Sequence, residues 1–241
     1  MFTDNDVFKS KTCIKGNLVS INHSDSKKLI TYDIAYVDKT MFLKYISYPP
    51  GIYAFLRPRR FGKSLMLSMI KYFFEDTKDE RLNAENRALF DGLTIFDDYP
   101  KLAKEMTSYP VIHISFAGCI GDSFETACLC MLSTIQDEYI RHQSILKESK
   151  LSDSQRRLFE KYANIDIGDS IKTEKNNLLA ESLKRLSNYL HEAYGKPVIV
   201  LIDEYDVPLE KAYVSGFFSQ MIGPVSSMLQ GVLKDNPHLH F

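Results

Sequence analysis

The chain has 241 residues, of which 44% are hydrophobic and 12% aromatic, so it can bury a core and is not a disordered or low-complexity polypeptide. Its formal net charge is -1 with acidic and basic residues interleaved, which removes any global field that would draw it to nucleic acid or a membrane surface. No apolar run approaches bilayer length and Met1, Phe2, Thr3 and Asp4 do not open a signal peptide, so the expected location is the cytoplasm.

Residues 1–33 are polar, with turn signals at Gly16-Asn17 and His23-Ser24-Asp25-Ser26, and are read as an N-terminal extension that forms a small hairpin or lies on the surface. Tyr36-Val37-Asp38-Lys39-Thr40 then opens a short segment with Met41, Phe42, Tyr45 and Ile46 at helical spacing, and Asp38 is suited to cap it. Pro49-Pro50-Gly51 turns the chain onward.

The decisive stretch follows. Ile52-Tyr53-Ala54-Phe55-Leu56 is an apolar run expected to form a buried strand, and Leu65, Met66, Met69, Ile70 and Phe73 recur at helical spacing. Between them lies Arg57-Pro58-Arg59-Arg60-Phe61-Gly62-Lys63-Ser64. A loop that breaks from a strand into a helix gathers backbone N–H groups at the positive end of the helix dipole, and that makes an anion site. Gly62 lets the backbone approach a phosphate, Lys63 can reach the β- and γ-phosphates, and the Ser64 hydroxyl is placed to ligate magnesium. The pattern is G-x-x-x-x-G-K-[ST] with Arg57 in the first glycine position. Pro58 fixes its own φ and pushes Arg57 into the extended region, so the chain still leaves the strand sharply. Arg57, Arg59 and Arg60 form a basic cluster. One of them can neutralise phosphate charge, and the others are solvated or paired locally.

Residues 79–89 read as a helix that ends at Asp91-Gly92, and 101–105 as a helical turn. Val111-Ile112-His113-Ile114-Ser115-Phe116 is a second strand, with His113 a core histidine. Three helices are then expected, over 124–146, 152–163 and 178–194, with Ser152 and Gln155 forming a capping box, a polar linker at 164–177 and a stop at Gly195. Cys128 and Cys130 fall in the first of these; with Cys13 and Cys119 they lack a histidine spacing suited to zinc and are read as reduced, buried thiols.

Val198-Ile199-Val200-Leu201-Ile202 is a run of five apolar residues, the pattern of a strand buried on both faces in a parallel sheet, and Asp203-Glu204 close it. Ligands of open α/β sheets bind at that end. Asp203 is the candidate magnesium ligand through water, and Glu204 the candidate base for water attacking the γ-phosphate. Residues 213–233 read as two helical pieces broken at Gly223-Pro224, and Leu239-His240-Phe241 as the start of a strand.

These segments in succession, with Lys71-Tyr72-Phe73-Phe74 and Tyr205-Asp206-Val207-Pro208-Leu209, resemble the prokaryotic AAA-ATPase-like family over roughly 34–241. Arg57 belongs to the Arg-Pro-Arg-Arg-Phe-Gly-Lys form of the loop in that family. The resemblance implies an α/β phosphate-loop NTPase, a three-layer sandwich on a mostly parallel sheet, with a large helical insertion before the acid-ended strand. It implies ATP and magnesium as ligands, residues 57–64 around the phosphates, Lys63 and Ser64 on phosphate and metal, and Asp203-Glu204 as the Walker B pair. It also implies that a sensor strand, a helical region and often a nuclease-like domain follow, so the sheet is expected to be incomplete and the 241-residue piece weak in hydrolysis. Two functions stay open: an ATPase that remodels an unidentified protein partner, and a nucleotide-dependent switch with little turnover. Neither membrane association nor direct nucleic-acid binding is expected.

Overall fold

The structure is a computed structural model that describes residues 14–18, 23–48, 51–56, 58, 60–147, 151–165, 175–234 and 236–241. It is a mixed α/β protein in which helix dominates, at 58%, and the sheets are small. The chain divides into two compact units, Met1–Val111 with Phe241, and Ile112–His240.

In the first unit β1 (Ile14–Lys15) pairs antiparallel with β2 (Tyr36–Val37), and α1 (Ser26–Thr31) lies between them in sequence. Asp25 caps α1 by accepting from the Lys27 N–H at 2.9 Å. Helices α2 (Phe42–Ser47), α3 (Lys63–Phe74), α4 (Glu80–Ala88) and α5 (Thr94–Asp98) follow, then a 3-10 helix over Pro100–Glu105. Helix α3 buries Met66, Leu67, Ile70, Phe73 and Phe74, a stripe at three- and four-residue spacing. Its C-terminal end is the anchor. Phe73 meets Phe74 and Phe90 edge to face at 4.8 and 5.0 Å, and burying each such ring contributes about 1.5–3 kcal/mol. The carbonyls of Phe73 and Phe74 accept from the N–H groups of Thr107 and Tyr109, so no acceptor is stranded there.

Three expectations need correction in this unit or the next. Residues 51–56 do not form a strand: Tyr53 and Phe55 are half-buried, Ile52 and Leu56 are exposed, and no described segment supplies them with a ladder. The period-2 alternation is present, but a strand also needs a neighbour to accept its hydrogen bonds. Asp38 does not cap α2. Its carboxylate accepts from the N–H and hydroxyl of Thr40 at 2.8 and 2.7 Å and from those of Thr94 at 2.9 and 3.0 Å, and so serves the first residue of α5 instead. Gly223-Pro224 does not break a helix either, as described below.

In the second unit β3 (Val111–Ser115, from Ile112 onward) and β4 (Ile199–Asp203) form the parallel pair. The Phe116 N–H extends it by donating to the Asp203 carbonyl at 3.0 Å, and Leu239 makes a parallel bridge to Val198. The expected helical insertion is there: α6 (Phe124–Arg141), a 3-10 turn over Gln143–Lys147, α7 (Asp153–Ala163) and α8 (Lys175–Tyr194). Ser152 and Gln155 cap α7 reciprocally. Part of the anticipated 164–177 linker lies outside the described residues. Helix α9 (Val207–Val214) is followed by α10 (Phe218–Leu229), which runs straight through Pro224. The residue before a proline is driven out of the helical region partly through its Cβ, and Gly223 has none. Met221, Val225 and Met228, all buried, then hold the helix despite one missing hydrogen bond. The break falls at Ser215-Gly216, where Gly216 has φ +81°.

Glu138 of α6 is the charged centre of this unit. It is buried and accepts from the His113 backbone N–H and from Arg141 Nε, each at 2.8 Å, with His142 Nε2 at 3.4 Å. Burial by itself would raise its carboxyl, yet the hydrogen bonds and charge of Arg141, with His142, hold it well below the usual carboxylate range. The folded state therefore binds this proton less readily than the unfolded chain, whose glutamate titrates near about 4.3. Stability from Glu138 is present above that pH and is lost as the pH falls below it. Glu138→Gln is expected to cost about 1.5–3 kcal/mol at pH 7 and distinctly less at pH 3. Urea unfolding at the two pH values checks this, and an equal loss at both would disprove it.

Candidate functional site

In the first unit the loop before α3 turns on two left-handed residues, Arg60 with φ +69° and Gly62 with φ +77°. Helix α3 then begins at Lys63. Its N-cap is Gly62, no side chain caps it, and its first turn contains no acidic residue. The Gly62 carbonyl accepts the first intrahelical bond, from the Met66 N–H at 2.9 Å. A 12-residue helix thus turns its positive dipole end toward the loop, with Lys63 and Ser64, both half-buried, in its first turn. Pro58, Arg60 and Phe61 are exposed along the approach. Arg57 and Arg59, expected among the phosphate-binding residues, lie outside the described residues.

The glycine is needed for its conformation. A Cβ built on Gly62 would meet nothing within 4 Å, so the protein itself leaves room there, but a φ of +77° costs an L-residue about 1–2 kcal/mol.

Beside the loop, the first unit contains a cavity of about 490 Å³ whose wall includes Arg60, Phe61 and Gly62. Its other lining residues come largely from 23–40, of which 23–33 fall in the stretch read from sequence as a polar N-terminal extension. The signal was available: Asp25 is a helix cap, and Leu29-Ile30 sit four and five residues behind it. The helix it starts is tied to α3, because the Ser26 N–H donates to Ser68 Oγ at 2.9 Å and Tyr72 donates to Asp25 at 3.1 Å. Burial and the Asp25 charge push the Tyr72 hydroxyl up to about 12, so it stays a donor at neutral pH.

In the second unit, Asp203 is the last residue of β4 and is buried. Glu204, half-buried, follows with φ +50°, a rare conformation for a residue with a side chain. Its carbonyl accepts from the Val207 N–H at 3.2 Å, and Pro208 sits in the first turn of α9. Strain of this kind persists where the surroundings impose it and gathers at working sites. Asp203 carries a hard oxygen donor, the chemistry magnesium requires. Magnesium is commonly held by one or two protein oxygens plus phosphate and water, so it needs no dense cluster. His113 takes no part. It is half-buried, and its backbone serves Glu138. Cys119 and Cys128 are buried free thiols and Cys130 a partly buried one, and burial chiefly pushes the Cys119 thiol up to about 12. No group of three or more metal-ligating side chains occurs among the described residues, nor does any helix long and apolar enough to cross a membrane.

The chain belongs to the family described as predicted AAA-ATPase, whose model matches residues 20–241. Nucleotide binding is the theme of that family. A relative from Azotobacter chroococcum mcd 1, described as an uncharacterized protein in the vnfD 5' region, is 27% identical over 212 residues. The match takes in 87% of this chain and 33% of the relative, so the chain spans about a third of that protein's length. No solved structure matches.

If conformation is what Gly62 supplies, Gly62→Asn should lower the melting temperature of the nucleotide-free chain less than Gly62→Val, because asparagine tolerates left-handed backbone and a β-branched residue does not. Thermal unfolding followed by circular dichroism decides it. The reverse order would mean that the polarity of the side chain, rather than φ, sets the cost.

Proposed function

We propose that the chain binds ATP with magnesium and hydrolyses it, as the ATPase core of a larger protein. The observation that carries this reading is the loop geometry: left-handed Arg60 and Gly62 lead into a 12-residue helix that starts at Lys63-Ser64. Family membership supports the nucleotide.

In this reading the first-turn N–H groups of α3 donate to phosphate oxygens, and the Lys63 ammonium binds the β- and γ-phosphates. Arg57, Pro58, Arg59, Arg60 and Phe61 complete the loop around them. Ser64 and Asp203 would hold magnesium, which when bound neutralises phosphate charge. Glu204 accepts a proton from water as the water oxygen bonds to the γ-phosphorus and the bond from that phosphorus to the bridging oxygen breaks. ADP and phosphate leave. A site for binding alone has no need of a carboxylate to activate water, and so Glu204 favours turnover over a pure switch.

Replacing Lys63 with Ala is expected to abolish ATP binding. Glu204→Gln should leave ATP affinity unchanged while cutting turnover at least about a hundredfold, the scale for losing a group that acts in the transition state. Isothermal titration and phosphate release measure the two effects. Turnover that survives Glu204→Gln would remove that residue from its role, and an unmodified chain that binds ATP without turning it over would favour the switch.

A further inference from the structure

Two of the cysteines in the second unit meet. Cys119 belongs to the loop that leaves β3, and Cys130 lies near the start of α6. The Cys130 thiol donates to the Gly118 carbonyl at 3.4 Å and stands within hydrogen-bond reach of the Cys119 thiol. One turn further along α6, Thr134 Oγ1 contacts Cys119 Sγ at 3.5 Å while giving its own proton to the Cys130 carbonyl at 3.0 Å. Residues 130 and 134 share a face of the helix, so both bear on the same short piece of loop. We propose that Cys119 and Cys130 form a redox-sensitive dithiol, which hydrogen peroxide closes to a disulfide that clamps the loop after β3 onto α6.

The two sulfurs differ in access, and that sets the order of events. Cys130 is partly exposed, whereas Cys119 is 1% exposed. Burial pushes the Cys119 thiol up to about 12, so it stays protonated at neutral pH and does not attack peroxide by itself. The Cys130 sulfur attacks one peroxide oxygen, the O–O bond breaks, and the thiol proton leaves with the other oxygen as water. The Cys119 sulfur then attacks the resulting sulfenic acid. As the S–S bond forms the S–O bond breaks, and hydroxide departs with the Cys119 proton as a second water. The two thiols lose two electrons between them, and the peroxide takes up both. A dithiol reductant reverses the closure by exchange. Cys128 is buried on the same helix, but side chains two residues apart do not face the same way, so it takes no part.

The clamped loop joins the acid-bearing end of the β3 and β4 pair to α9. At its root Phe116 donates to the Asp203 carbonyl at 3.0 Å and accepts from the Cys119 N–H at 2.9 Å. A Cβ built on Gly121 would come within 2.4 Å of the Ala127 nitrogen, so the loop already lies hard against α6. Asp122 then pairs with Lys211 of α9 at 2.7 Å. A cross-link that stiffens this loop therefore reaches α9, the helix that follows the Glu204 turn.

The test treats the unmodified chain with hydrogen peroxide, blocks the remaining thiols and maps non-reduced peptides by mass spectrometry after cleavage at Glu125, which separates Cys119 from Cys130. A link between Cys119 and Cys130 that dithiothreitol removes is expected; it should survive Cys128→Ser and vanish in Cys130→Ser. Amide hydrogen exchange should slow at least about threefold in 117–123 and in α9 once the link forms, and Asp122→Ala should abolish the slowing in α9. A link made through Cys128 instead, or Cys130 oxidised while Cys119 stays a thiol, overturns the dithiol. A Cys119 to Cys130 link that leaves exchange unchanged in either segment overturns the clamp.

Discussion

The site depends on a helix that starts on a left-handed glycine: Gly62, with φ +77°, is the N-cap of α3 and has no side chain to turn onto the first turn, whereas α1, α4, α6 and α7 each place an Asp or Ser side chain there. An uncapped start weakens a helix, so its stability has to come from elsewhere. Here it comes from the opposite end, where Phe73 and Phe74 are fully buried and their carbonyls are taken up by the backbone at 107–109. The anchored C-terminus supports a helix whose N-cap residue has no side chain.

The same division of labour recurs in the second unit. Strand β4 is buried except at the half-buried Ile202, and the parallel pairing with β3, extended by the Phe116 to Asp203 hydrogen bond, fixes its end. Glu204 then adopts a left-handed conformation that a free chain would avoid. Behind it, Glu138 ties the backbone of β3 to α6 through His113 and Arg141. A rigid strand carrying an abrupt acidic turn is what positions a carboxylate reproducibly.

Much of this was legible in the residues. Helices α6, α7 and α8 follow from apolar spacing, from the Ser152 and Gln155 pair and from Gly195, and β3 and β4 from short β-branched runs, because each of those signals is local. The readings that failed depended on partners far away in sequence. Residues 51–56 have the alternation of a strand and no ladder to join. Asp38 has the look of a cap for the helix beside it, but Thr94, 56 residues on, claims half its hydrogen bonds. Pro224 signals a break, and Gly223 before it cancels the clash. Within the loop, the need for Gly62 was visible but its cause was not, since room for a phosphate and a positive φ leave the same mark on a sequence.

The sequence by itself determined the helices between β3 and β4, the loop that ends in Gly62-Lys63-Ser64 and the acid-ended strand, because propensity, capping and burial pattern act over a few residues. Only the tertiary structure decided that residues from 23–40 line a cavity beside that loop. A cavity is the space left between segments, and no single segment carries a record of it.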